Sequence, residues 1–323
     1  TVTMDANKTV TANFAINTYT LTVTATNGTV AKDPDQPTYN HGTTVDLTAT
    51  PSVGYHFVDW TGDATGSANP VTVTMDANKT VTANFAIDTY TINATAGANG
   101  DISPSGNIIV NHGGNQTFTI TPEVGYNVAD LFVDGVHQDS IASYTFYNVT
   151  ANHTINVAFS INLYTINATA SAGGTIDPNG TVTVSYGGSQ QFIISPDLGY
   201  HFVDLFTDGI HSDSTISYTF ENVVANHTID VSFAINTYTL TVNATNGTVA
   251  KDPDQPTYNH GTSVDLTATP SVGYHFVDWT GDATGSANPV TVTMDANKTV
   301  TANFAINTYT LTVNATNGTV AKD

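Results

Sequence analysis

Thr18-Tyr19-Thr20-Leu21-Thr22-Val23-Thr24-Ala25 is the stretch that decides the fold of this chain. Tyr19, Leu21, Val23 and Ala25 alternate with threonine, so an extended backbone carries one apolar and one hydroxylated face, whereas a helix would scatter the same residues around its axis. The same period of two returns in Val45, Leu47 and Ala49, and again in Val81, Ala83 and Phe85. Threonine, valine and tyrosine also suit a pleated, half-buried surface. Turn chemistry punctuates the runs. Asn27-Gly28 and Asn246-Gly247 predict tight hairpins with positive φ, as do Asp134-Gly135 and Asp208-Gly209. Asp76 to Lys79 reads as a four-residue turn, and Pro51 to Gly54 ends one strand and starts the next. No segment shows a helical period, and the spacing predicts about six short strands per module.

The opening stretch recurs. Its tyrosine marks Tyr19, Tyr90, Tyr164, Tyr238 and Tyr309, at intervals of 71, 74, 74 and 71 residues. Pro-x-x-Gly-Tyr keeps the same step at Tyr55, Tyr126, Tyr200 and Tyr274, and Phe14, Phe85, Phe159, Phe233 and Phe304 mark the end of each unit. Four full repeats follow, 16–86, 87–160, 161–234 and 235–305, flanked by the tail of one unit (1–15) and the head of another (306–323). The outer two are of a short type and near-identical; the inner two are of a long type and carry the Asp-Gly turns. The three extra residues are expected in a hairpin loop of the second half, where insertions are tolerated. Residues 1–33 match 291–323 at every position but Thr24 against Asn314, which suggests a four-unit super-repeat within a longer array. The last strand of each unit runs almost directly into the first strand of the next, so a semi-rigid, elongated rod is expected.

Composition narrows the function. With a net charge of −21 from 27 acidic and 6 basic residues, the chain is a poor match for nucleic acid or an anionic membrane. It has no cysteine, hence neither disulfides nor a thiolate site, and no apolar run long enough to insert in a membrane. The charge falls along the whole array rather than in one patch, which suits solubility better than recognition.

The combined pattern of Tyr-Thr-Leu-Thr-Val, Asn-Gly-Thr-Val, His-Gly-Thr-Thr-Val-Asp-Leu-Thr-Ala-Thr-Pro, Gly-Tyr-His-Phe-Val-Asp-Trp-Thr-Gly and Val-Thr-Ala-Asn-Phe over residues 17–85 resembles the divergent internalin-type B-repeat. The long repeats resemble an Asp-Gly variant of the same family, so the resemblance spans the chain. It implies small β modules in tandem on extracellular, bacterial cell-surface or secreted proteins, used as stalks or spacers of adhesin-like molecules, without catalytic residues. It also implies a β-grasp variant with a short helix. The residues themselves show no such helix, so an all-β sandwich and a β-rich α+β grasp both stand.

Candidate chemistry is sparse. Asp59, Asp130, Asp204 and Asp278 recur between apolar neighbours in every repeat; they are either calcium ligands stiffening the array or carboxylates hydrogen-bonded at a strand bend. The histidines at 41, 112 and 260 give way to Tyr186 in the third repeat, and those at 56, 201 and 275 to Asn127 in the second, which fits structural positions rather than metal ligands. Trp60 and Trp279 exchange with Leu131 and Leu205, as core residues do. Tyr55 and its counterparts are expected to bond backbone through the phenol. Lys79 and Lys298 have no counterpart between residues 87 and 234, so a lysine crosslink is not a shared feature. No nucleophile, base and acid stand together, and enzymatic activity is not expected. The partners expected are further copies of the repeats, through their first strands, or a host or matrix ligand bound by many weak sites.

Overall fold

A computed structural model describes residues 1–213 and 216–321. Residues 322–323, the end of the C-terminal partial repeat, lie outside the described residues. The chain divides into two compact units, Thr1–Asn162 and Leu163–Asp323, each holding one short and one long repeat. Every element among the described residues is a strand, turn or bend; none is helical. Each full repeat has eight strands rather than six, because short strands that the alternation does not announce join the longer ones.

The second repeat shows the plan. One sheet has the order Gly106–Asn111, Thr89–Ala96, His153–Ile161, Tyr126–Val133, Val136–Gln138; the other has the order Gly100–Ser103, Gln116–Pro122, Ser143–Phe146. The first and last strands of the repeat lie side by side and parallel, with Ile92 opposite His153 and Ala96 opposite Val157; every other pair is antiparallel. The core joins residues of both sheets, including Ile92, Leu131 and Ile155 from one and Ile102, Phe118 and Phe146 from the other. Phe118 has no exposed surface, and burying such a ring contributes about 2–3 kcal/mol. Each full repeat has its own core of this kind. The module is therefore a two-layer all-β sandwich. Its parallel first and last strands resemble the centre of a grasp, but a three-stranded sheet covers the face where a grasp has its helix.

Turn chemistry divides into two outcomes. Asp134 and Gly135 take φ of 50° and 76° between the paired residues Val133 and Val136, a two-residue hairpin as expected. Asn27 also has positive φ, 67°, yet Leu21–Ala25 and Gly28–Asp33 belong to different sheets. Asn27-Gly28 is thus an arch between layers, not a hairpin. The reason is packing: the marker phenylalanine lies on this glycine, and a Cβ on Gly28, Gly100 or Gly174 would sit 2.5 Å from the ring of Phe85, Phe159 or Phe233. The extra residues of the long repeats are also not confined to the hairpin. Met75 and Val149 hold equivalent positions, donating to the carbonyls of Thr43 and Gly114; Thr74, paired with Thr44, directly precedes Met75, whereas Tyr147 and Asn148 separate Phe146, paired with Gln116, from Val149.

Candidate functional site

The recurring aspartates sit at a β-bulge. In the first repeat the register passes from Phe57 opposite Phe85 to Asp59 opposite Asn84, leaving Val58 as the extra residue. That slip changes the phase of the strand, so Phe57 and Trp60 share a face with ring centroids 5.1 Å apart although they are three residues apart in sequence. The odd spacing of two large apolar residues in Gly-Tyr-His-Phe-Val-Asp-Trp is the sequence signal for the bulge. Asp59 accepts from Asn84 Nδ2 at 2.8 Å, and Asp278 from Asn303 Nδ2 at 2.8 Å. In the long repeats the partner is a histidine on the added hairpin strand, with His137 Nε2 3.3 Å from Asp130 and His211 Nε2 3.0 Å from Asp204. Each carboxylate bonds a side chain across the strand bend, and among the described residues no three His, Asp or Glu side chains gather as a metal-holding group.

Trp60 and Trp279 are core residues, each donating Nε1–H to a loop carbonyl, Ala68 or Ala287, at 2.8 Å. Among the described residues, the phenols that bond backbone are not those of Tyr55 and its counterparts but those of the buried Tyr39 and Tyr258, which donate to the carbonyls of Pro34 and Pro253 at 3.0 Å. A further clasp was not legible in the alternation: Asn78, Asn152, Asn226 and Asn297 each accept, at 2.8–2.9 Å, a threonine backbone N–H, from Thr91 and Thr165 in the first strand of the long repeats and from Thr20 and Thr239 between the first two strands of the short ones. Asp134 and Asp208 accept from Thr154 and Thr228 N–H at 2.8 Å and lie 2.7 Å from His153 and His227 Nδ1. Burial pushes the Asp208 carboxyl up, and these bonds outweigh it, leaving the pKa below the ordinary value. Lys79 holds Asp76 low across the turn, at 2.7 Å, and is itself raised.

The most developed site joins one repeat to the next. A single residue, Asp88, separates the strand Lys79–Ile87 from the strand Thr89–Ala96. Its N–H donates to the carbonyl of Gly54 in the first repeat, its own carbonyl accepts from His112 N–H in the second, and its carboxylate lies 2.8 Å from His56 Nδ1. The His112 ring packs on the bare Cα of Gly54, whose φ is +82°, and stands 5.9 Å from the Tyr90 ring. Repeats three and four are joined in the same way. Asn236 donates to Gly199, accepts from His260 N–H and lies 2.8 Å from His201 Nδ1, while the His260 ring covers Gly199. Thus Gly, His and the linker Asp or Asn, spread over about 60 residues of sequence, form one joint.

A family model for the divergent InlB B-repeat domain matches residues 19–89, 90–163, 164–237 and 238–308. The chain belongs to the divergent InlB B-repeat family. Each matched segment starts at a marker tyrosine, three residues later than the divisions drawn from sequence. B-repeats of this family are found in bacterial surface or secreted proteins. Among solved structures, the Bacillus anthracis TIE protein aligns with 84% of this chain and 64% of its own length, at 8% identity and a TM-score of 0.34. The chain thus spans less than two thirds of that protein. An I-band fragment of titin aligns with 91% of this chain and 88% of its own length, at 8% identity and a TM-score of 0.11. Neither likeness bears on function, and comparison with curated proteins found no match. No helix of this B-repeat array among the described residues is long and apolar enough to cross a membrane.

Proposed function

We propose that this B-repeat array is a structural spacer, a stalk or fibre segment of an adhesin-like protein at a bacterial surface, whose work is reach and stiffness. The observation that carries the reading is the joint. One linker residue bonded through its N–H, its carbonyl and its side chain to both neighbours leaves little freedom for the repeats to swivel. Four self-contained cores of nearly the same design also suit a part whose length grows by adding units. The reading gives the array no catalytic step and no cofactor. Small-angle scattering of the dilute chain tests it: an extended particle with a cross-section of one module is expected, and a compact particle would sink the proposal.

A multivalent adhesive array is the second reading. It is favoured by Val53, Val124, Leu198 and Val272, one aliphatic residue at the same turn of every repeat, each at least 82% exposed. A host or matrix ligand gripping these turns would bind in proportion to repeat number, and substituting serine at all four would abolish that binding.

A further inference from the structure

Short and long repeats differ at one sheet edge. In the long repeats Gly106–Asn111 pairs along its whole length with the first strand, as does Gly180–Ser185, and each is the outermost strand of a five-stranded sheet. In the short repeats two residues hold that place, Tyr39–Asn40 or Tyr258–Asn259. The chain just before them carries two prolines, Pro34 and Pro37 or Pro253 and Pro256, and a Lys–Asp ion pair, Lys32–Asp35 or Lys251–Asp254. Short edge strands, prolines and charges are the means by which sheets avoid pairing with other chains. The long repeats keep only the first of these prolines, as Pro104 and Pro178, and have neither the second proline nor the ion pair, and their edge strands are long. Gly-Asn-Ile-Ile-Val-Asn and Gly-Thr-Val-Thr-Val-Ser contain neither charge nor proline, and their ladders run without a bulge. The first strands of the long repeats, where sequence placed the free edge, lie inside the sheets instead, whereas Leu21–Ala25 and Leu240–Ala244 of the short repeats are outermost in their three-stranded sheets.

The bare strands match themselves. Val110 and, in part, Ile108 face the core, while Asn107, Ile109 and Asn111 face outward, Ile109 with 71% of its surface exposed. An antiparallel pair centred on Ile109 sets Ile109 against Ile109, Ile108 against Val110 and Asn107 against Asn111. Centred on Thr183, the third repeat sets Thr183 against itself, Val182 against Val184 and Thr181 against Ser185. Apolar residues meet on the core side, and on the other side amides flank the Ile109 pair in the second repeat and hydroxyls meet in the third, the phase a continuous sheet requires.

We infer that this edge of the long repeats is an interface for a second copy of the chain, which pairs with it antiparallel about a two-fold axis and turns two five-stranded sheets into one. Charge selects this occupant: a basic partner finds no carboxylate on the strand, whereas a second copy brings an equally neutral edge. The remaining charge of the chain opposes approach, and salt screens it over about 10 Å at 0.1 M. The interface rests on the spacer reading and adds side-to-side contact to it.

Sedimentation velocity of the whole chain against concentration, at low and high salt, tests the interface. Reversible dimers and larger species that increase with salt are expected. Ile109→Lys combined with Thr183→Lys weakens association on the order of tenfold by setting like charges opposite each other, even though it makes the chain less negative overall. Asn40→Lys with Asn259→Lys, on the guarded edge, leaves it unchanged. All four positions are exposed, and an unchanged melting temperature certifies folding. A chain that stays monomeric throughout, or a lysine variant of the long repeats that associates like the parent, overturns the interface. An extended monomer that fails to associate removes this interface and leaves the spacer; a compact monomer removes the spacer.

Discussion

Replacing Gly54 by alanine isolates the energy of the joint between the first two repeats. Two costs arise at this position. Alanine at φ of +82° is strained by about 1–2 kcal/mol. Its Cβ also falls within the van der Waals envelope of His112 Cδ2, so the imidazole must leave its place beside Tyr90 or the repeats must part; overpacking of this kind costs about 1–3 kcal/mol. Gly42 supplies the control, since it lies in the same repeat with φ of +84° and a Cβ there meets nothing within 4 Å. Gly54→Ala is therefore expected to destabilise the first repeat by about 1–3 kcal/mol more than Gly42→Ala. Adding His112→Ala, which removes the obstructing ring, should cancel most of the difference. In the unit of residues 1–162 Trp60 is the sole tryptophan, so its fluorescence during urea unfolding reports this repeat alone. Because the chain has no cysteine, spin labels at Thr48→Cys and Thr119→Cys, both on exposed faces, give the distance between repeats directly. That distance distribution is expected to broaden in Gly54→Ala and not in Gly42→Ala. Equal losses for the two alanines with unchanged distances would refute the claim that the glycine–histidine contact fixes the joint.

Trp60→Leu imitates the long repeats at the buried position but not in the loop that follows; it leaves a cavity and frees the carbonyl of Ala68, at a cost of about 2–4 kcal/mol by urea unfolding. A cost below about 1 kcal/mol would show that the loop does not depend on the indole. Asn152→Ala strands the N–H of Thr91 and should cost about 1 kcal/mol, whereas Asn152→Asp keeps the accepting oxygen and recovers most of it, which the two melting temperatures will show. Acid should unfold the chain through carboxylates held low in the fold. Asp208, against burial, is kept ionised by His227 and Thr228, and Asp76 and Asp295 by Lys79 and Lys298. A pKa lowered in the folded state gives stability that is complete above the unfolded value of 3.8 and lost as pH falls through the folded one. The melting temperature is thus expected to drop below about pH 4, with a shallower fall in Asp208→Asn; equal slopes would exclude that carboxylate.

Much of the module was legible because the relevant physics is local. Alternation of Val45, Leu47 and Ala49 returns as a strand with each of these residues buried, and Asp134-Gly135 folds as the hairpin its backbone preferences require. Leucine in place of tryptophan in the long repeats correctly pointed to the core. Asn27-Gly28 misled because positive φ serves an arch as well as a hairpin, and what selects the arch is Phe85, far along the chain. The candidate aspartates recur because a bulge recurs, and a bulge exists only relative to a partner strand.

By itself, then, the sequence determined the repeat, its strand-rich character, its family and the positions of its core, since each depends on the order of neighbouring residues. Only tertiary structure decided that the first strand of a repeat lies parallel to the last, with Leu21 opposite Lys79 and Ile92 opposite His153, and that in the long repeats it sits inside the sheet rather than at its edge. Only tertiary structure placed His112 on Gly54 and left Gly106–Asn111 bare. Pairing between residues some 60 positions apart is chosen by which side chains fill a shared core, and no window of alternating residues contains both partners.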